Sequence, residues 1–326
     1  MVLLPRAWLD LPLLALGLAI WTPAHAQDYP TRDVRVICNF PAGTSGDVFV
    51  RYFADKLSVL SGRAVTVENR AGAFGNKGTE AAAKAKPDGH TALISPGSST
   101  LAAASATFKK LKFDPIKDFA PVTTLARLGY VVAVDAQSRI RSLAELTAYL
   151  KSNADDASYG VSSTAGQVVA ELYKKHAGVM AKTTRHRDMQ RALTSLRAGD
   201  DDFVVGEPTW AIEQARTGRI RPLAVSLDRR MSALPDVPTM EEAGVGGFGK
   251  LEIVWGVYVP AATSPPIVGR LEDWFNKIVA MAETRTFLNN LGFDALPGNS
   301  KVLAELTAED VKRWRLYVEL AGIEPQ

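Results

Sequence analysis

The stretch Val34-Arg35-Val36-Ile37-Cys38-Asn39-Phe40-Pro41-Ala42-Gly43-Thr44-Ser45-Gly46-Asp47 decides how this chain is read. Five of its first seven residues are apolar, three of them β-branched, as a buried strand requires. Pro41 and Gly43 punctuate the end of that strand. Asp47 then opens a segment, 47–60, in which Val48, Tyr52, Leu57 and Leu60 fall near one face of a helix. The same alternation spreads outward along the sequence. Ala64–Glu68, Thr91–Ser95, Tyr130–Val134, Ser158–Val161, Asp202–Val205 and Arg221–Ser226 read as short strands. Thr79–Lys86, Leu143–Ser152, Ala165–Ala177 and Met189–Ala198 read as the helices between them, and 266–280, 283–291 and 307–320 as a helical end. A β-α-β rhythm of this kind predicts α/β lobes with largely parallel sheets.

Glycine and proline gather where those strands end: Pro41-Ala42-Gly43, Ala71-Gly72-Ala73-Phe74-Gly75, Pro96-Gly97 and Ser162–Gly166. In open α/β sheets ligands bind beyond the carboxyl ends of strands. Loops there start helices and point backbone N–H groups outward, which suits an anion.

Residues 1–26 have a basic residue (Arg6), an apolar core from Leu11 to Trp21 and the ending Ala24-His25-Ala26. That is the layout of a secretory signal peptide cut after Ala26. The run, roughly 11 residues, is short against the ~20 that a spanning helix needs. The remaining chain, about 300 residues, favours two lobes or one large domain. A net charge of +3 and 47% hydrophobic residues describe an ordinary globular protein and give no footprint for nucleic acid. The single cysteine, Cys38, allows no internal disulfide and reads as a buried small apolar residue.

Catalytic and metal motifs are missing. His25 leaves with the signal, His90 sits in a turn, and His176 lies late in a helix where it favours the dipole. No His-x-x-x-His or Cys/His spacing offers a metal site, and no Gly-x-Ser-x-Gly elbow is present. His186 beside the hydroxyl-rich loops Thr44-Ser45 or Ser162-Ser163-Thr164 leaves a secreted serine hydrolase as a minor alternative. The expectation is a binding protein with no cofactor and no metal.

Several strings in order resemble the Bug family of periplasmic solute receptors, the TctC-type receptors of tripartite tricarboxylate transporters. They are Tyr29-Pro30-Thr31-Arg32, Phe40-Pro41-Ala42-Gly43 with Asp47, Val67-Glu68-Asn69-Arg70-x-Gly72-x-x-Gly75-Asn76, Ala85-Lys86-Pro87-Asp88-Gly89 and Phe113-Asp114-Pro115 running on to Val122. Leu234-Pro235-Asp236-Val237-Pro238-Thr239-x-Glu241-x-Ala243-Gly244 is the most specific, followed by Trp255-Gly256 and Pro260-Ala261-x-Thr263. The resemblance runs from Tyr29 to about Ile323. It implies a two-lobed α/β fold of the periplasmic-binding-protein kind (type II, Venus-flytrap) with a ligand cleft between the lobes. Lobe 1 would comprise 27–128 and 239–326, and lobe 2 would comprise 129–238. It implies a periplasmic monomer that captures a small organic carboxylate, or a related amide, and hands it to membrane permease subunits. A membrane sensor kinase is the alternative partner, with the chain as a ligand-presenting sensory module.

Carried over by position, lobe 1 would offer the ligand Pro41, Ala42, Gly43, Thr44, Ser45, Gly46 and Asp47, and then Gly97, Ser98, Ser99 and Thr100. Lobe 2 would offer Ser162, Ser163, Thr164, Ala165, Gly166 and Gln167, then His186 and Arg187, and then Gly206 and Glu207. Asp47 has two readings, a helix cap or a ligand contact. Departures from the family pattern bear on the ligand. Thr44-Ser45 stand where bare glycines are usual, His186-Arg187-Asp188 where Tyr-Lys-Gly is usual, and Gly206-Glu207 where a small polar pair is usual. Arg187 could grip a carboxylate or pair with Asp188 or Glu207. If His186 and Glu207 face the ligand, an amino- or amide-bearing ligand fits, and a carboxylate beside unpaired Asp188 and Glu207 would be repelled. Phe74 replaces a usually small residue, so it either packs under its loop or forms an aromatic wall. Trp210, after Glu207, serves equally as core or stacking surface.

Overall fold

The opening strand is β1 (Val34–Cys38), and it is followed by α1 (Ser45–Ser61), β2 (Val65–Asn69), α2 (Asn76–Ala83), β3 (Thr91–Pro96), α3 (Ala103–Thr107) and β4 (Phe119–Leu128). The computed structural model describes residues 29–247 and 251–325, so the expected signal segment, 1–26, lies outside the described residues. After β4 the chain builds β5 (Val131–Asp135), α4 (Leu143–Ser152), β6 (Ser158–Val161), α5 (Thr164–Ala177), β7 (Lys182–Arg185), α6 (Met189–Ala198), β8 (Phe203–Gly206), α7 (Pro208–Arg216) and β9 (Ile220–Val225). It ends with β10 (Ile253–Pro260), α8 (Pro265–Ala280), α9 (Ala282–Asn290), β11 (Asp294–Ala295) and α10 (Ser300–Leu320).

The strands form two sheets, in the orders β11-β4-β10-β3-β1-β2 and β7-β6-β8-β5-β9. Both are mixed, which corrects the expectation of largely parallel sheets. β1 is parallel to β2 and β3, and β6 is parallel to β7 and β8. β10 is antiparallel to β3 and β4, and β5 is antiparallel to β8 and β9. The reversed strands have a common cause. β5 and β10 are the strands by which the chain first enters each sheet from the other. Each starts at the cleft, where β1–β4 and β6–β9 end, and therefore runs away from it; the two-residue β11, antiparallel to β4, runs in the sense of β10.

Two passages join the sheets. The first is Gly129-Tyr130, between β4 and β5. The second, between β9 and β10, runs beside it. Ser226 N–H donates to the Tyr130 carbonyl (3.0 Å), and Tyr130 N–H donates to Ser226 Oγ (2.9 Å). Buried Arg127 at the end of β4 donates to Glu252 (2.9 Å) and lies 3.3 Å from Asp228, both on the second passage. Thr239 forms a parallel bridge with Val225, Ser232 N–H donates to Asp294 of β11 (3.4 Å), and the next strand of the first sheet begins at Ile253.

Under the first sheet α1 buries Phe49, Val50, Phe53, Ala54 and Leu57. Val48, expected on the buried face, is 44% exposed. The inward stripe is rotated because Phe49 packs against Trp255 (4.3 Å between centroids) and Phe53 (4.9 Å), a far larger apolar contact than Val48 could make. Tyr159 stacks on Phe203 (5.3 Å) at the centre of the second lobe. Cys38 is buried and outside any disulfide, and burial pushes its thiol pKa up, which disfavours the thiolate.

Candidate functional site

A cavity of about 410 Å³ opens between the two sheets, at the carboxyl ends of their parallel strands. From the first lobe it is lined by Asn39, Phe40 and Pro41 after β1, by Ala71, Gly72, Phe74 and Gly75 after β2, and by Pro96, Ser99 and Thr100 after β3. From the second lobe come Tyr130, then Ser162, Ser163, Thr164 and Ala165 after β6, Arg185 at the end of β7, and Glu207 after β8. Trp314, Ile323 and Glu324 close one side.

Of the loop 41–47, only Pro41 lines this cavity. The rest builds the loop. Thr44 is the N-cap of α1: its Oγ1 accepts from Asp47 N–H (3.4 Å) and donates to the Pro41 carbonyl (2.8 Å). Asp47 Oδ2 accepts from Gly43 N–H (2.9 Å) and Arg51 Nε (3.0 Å), and Oδ1 accepts from Asn69 Nδ2 (2.6 Å). Burial alone would push the Asp47 carboxyl up; the bonds from Arg51, Asn69 and Gly43 outweigh it and hold the group below its ordinary value. Gly43 takes φ +81°, and a Cβ on Gly46 would meet the Phe40 ring at 2.6 Å, so both glycines answer to the backbone. Ala42 and Ser45 lie on the same turn, outside the lining.

After β3 the chain makes a π-helical turn, Gly97–Ala102. Gly97 abuts the Tyr258 hydroxyl, and Ser98, 2% exposed, accepts from Val254 N–H (3.1 Å). These two residues therefore fasten the turn to β10, while Ser99 and Thr100 face the cavity. Thr100 Oγ1 donates to the Pro96 carbonyl (2.8 Å) and lies 2.6 Å from Ser95 Oγ, which accepts from Asn39 Nδ2 (2.9 Å).

In the second lobe Ser163 caps α5. Its Oγ accepts from Gly166 N–H (3.1 Å) and lies 3.2 Å from the Tyr130 hydroxyl. The first-turn N–H groups of this helix have no carbonyl partner within it and point toward the cavity end, a setting for an anion. Gly166 packs against the Val205 carbonyl, and Gly206 against Trp210 and Met189, so both serve packing. Gln167 reaches the site only through Arg185: Arg185 donates to Gln167 Oε1 (3.1 Å) and Thr164 Oγ1 (3.2 Å).

The 186–188 segment differs most from expectation. His186 Nε2 lies 2.7 Å from Asp201, whose side chain is buried, and neither residue lines the cavity. Arg187 is exposed and also outside the lining. Asp188 is the N-cap of α6, accepting from Arg191 N–H (2.9 Å). The arginine that lines the cavity is Arg185, which sequence reasoning passed over. Its signal was register: Arg185 is paired beside Val161, the residue before Ser162. No hydrogen bond among the described residues joins His186 to a loop serine: His186 pairs with Asp201, and Ser163 is engaged with Gly166 and Tyr130.

Glu207 does line the cavity, and its exposed surface opens into the cleft. The protein packed around it raises its pKa by desolvation. Burial also raises the Tyr130 phenol, with a contribution from the Glu207 charge. Phe74 is 62% exposed at the lining and meets Phe108 edge-on at 5.9 Å. It and Ala73 hold φ of 55° and 47°, a strained left-handed pair of the sort found at ligand sites. Phe74 is thus wall rather than packing under its loop, and Trp210 packs on Gly206 outside the lining.

Two α/β lobes facing each other across such a cleft form a periplasmic-binding-protein fold, and solved structures share it. The chain belongs to the tripartite tricarboxylate transporter receptor family, TctC, whose model matches residues 49–323. A UPF0065 protein of the gbd 5′ region of Cupriavidus necator is 31% identical over 324 residues, covering 98% of this chain and 96% of the relative. Rhodopseudomonas palustris Rpa4515, solved with adipate, is 28% identical with a TM-score of 0.79, covering 92% of this chain and all (100%) of that one. MatC of the same organism, solved with bound malate, is 28% identical with a TM-score of 0.73, covering 89% of this chain and 100% of that one.

Proposed function

We propose that this chain is a periplasmic receptor that captures a small organic carboxylate, or a related amide, and delivers it to the membrane subunits of a tripartite tricarboxylate-type transporter. The observation that carries this reading is Arg185 beside the first turn of α5, a guanidinium bonded only to uncharged oxygens at the edge of a two-lobed cavity. A carboxylate placed there meets a charge-assisted donor and a helix N-terminus together. Binding of adipate and malate by relatives supports the same chemistry. Ligand contacts from both lobes favour a closed arrangement about the passages at Tyr130 and Ser226, and the membrane partner reads that closed form. Lobe 1 comprises 27–128 and 239–326, and lobe 2 comprises 129–238. The chain acts as a monomer after export and cleavage at Ala26. Binding rather than hydrolysis is supported by the family of solute receptors to which the chain belongs, and no hydrogen bond among the described residues joins His186 to a loop serine. The sensory alternative uses the same cleft and differs only in the membrane partner.

Thermal denaturation of the protein purified from the periplasm, against aliphatic and aromatic carboxylates and their amides, tests the reading. A true ligand at 100 times its Kd adds about 2.7 kcal/mol to stability. Failure of every carboxylate and amide to raise Tm would remove the proposal.

A further inference from the structure

One cation, Arg185, and two carboxylates, Glu207 and Glu324, line the same cavity, and among the described residues no ion pair neutralises Arg185 or Glu207. Arg185 is occupied by neutral oxygens of Gln167 and Thr164. No hydrogen bond or ion pair among the described residues reaches the Glu207 carboxylate, which faces the cavity. Nor do the two groups pair with each other. Arg185 is tied to the first turn of α5, and Glu207 is fixed as the N-cap residue before Pro208, at φ −68° and ψ 149°. The nearest ionisable neighbours that line the cavity with them are Tyr130 and Glu324, neither of which can supply Glu207 with a positive charge. In the open cleft water solvates the Glu207 carboxylate; a ligand that displaces the water must replace those hydrogen bonds with a donor of its own. Beside Glu207, the second carboxylate of a diacid would be repelled, whereas an N–H group would be bonded.

We propose that the ligand carries, besides its carboxylate, an amide or ammonium nitrogen that donates to Glu207, so that this receptor selects amide- or amine-bearing carboxylates over diacids of the same shape. This rests on the carboxylate reading above, with the acid end at Arg185 and the nitrogen at Glu207.

Isothermal titration with shape-matched probes tests it: succinate against succinamate, adipate against adipamate and 6-aminohexanoate, and isophthalate against 3-carbamoylbenzoate. In at least one set the nitrogen-bearing member should bind about tenfold more tightly than its diacid. Glu207→Gln should weaken that member, strengthen the diacid and bring the ratio near one, while the unliganded variant still melts cooperatively. Arg185→Gln should weaken both members together. Tighter binding of the diacid in every set that binds would overturn the inference and leave the carboxylate receptor standing. So would a nitrogen preference that survives Glu207→Gln. Absence of binding by every probe would overturn both.

Discussion

Asp47 and Glu207 both stand at the start of a helix, and the fold treats their charges oppositely. Asp47 is held ionised by Arg51, Asn69 and Gly43, and its pKa is lowered. Its contribution to stability is therefore complete above the ordinary carboxylate value and lost as pH falls through the lowered one. Asp47→Ala should cost about 1–3 kcal/mol in urea unfolding at pH 7 by leaving buried donors unpaired. The gap to the wild type should narrow in acid. Glu207 has a raised pKa, so the sign reverses: its contribution is complete below the ordinary glutamate value and lost as pH rises through the raised one. Unliganded Glu207→Gln should thus melt above the wild type near pH 8, by about 1–2 °C, and match it near pH 4. Both carboxylates were legible in the sequence as cleft candidates; their opposite fates were not, because partners such as Asn69 arrive from other strands. Arg185 was hidden for a related reason. β7 is a polar strand with no apolar alternation, and only its pairing with β6 brings residue 185, rather than 187, beside Ser162.

Elements with a clear capping residue were the most legible. Ser142 and Asp188 accept first-turn N–H groups, and the helices they open, Leu143–Ser152 and Met189–Ala198, have the limits that their sequence predicts. β10 went unread because all its residues are buried on both faces, which leaves no alternation to detect. β4 is similar over most of its length. The strand ends, by contrast, were marked by glycine and proline, and that is why loops from both lobes were identified although several of their residues lie outside the cavity lining. Ser163 joins capping to the site. Ser163→Ala removes the acceptor for Gly166 N–H and the partner of the Tyr130 hydroxyl. Unfolding should show a loss of about 1 kcal/mol. Ligand affinity, measured by titration, should fall as well, because the helix turn that faces the carboxylate frays.

At the scale of the molecule, the two passages decide whether the cleft can respond to a ligand. Local patterns reveal lobes but not the strands that run against them; the reversal of β5 and β10 follows from where the chain crosses. At that crossing Ser226 is fully buried, accepting from Tyr130 N–H through Oγ and donating to the Leu251 carbonyl (3.3 Å). Tyr130 itself lines the cavity, so the crossing is coupled to the site by one residue. Ser226→Ala leaves the Tyr130 N–H and Leu251 carbonyl without this partner and should cost about 1–3 kcal/mol of stability. It alters no side chain that lines the cavity. If the ligand closes the lobes about this point, it must now also order a loosened crossing, and affinity should fall several-fold. Small-angle scattering completes the test: the radius of gyration, about 19 Å for a compact chain of this length, should decrease when the wild type binds. A variant that is less stable but binds with unchanged affinity, together with an unchanged radius on binding, would show that the lobes do not move and that the cleft is preformed.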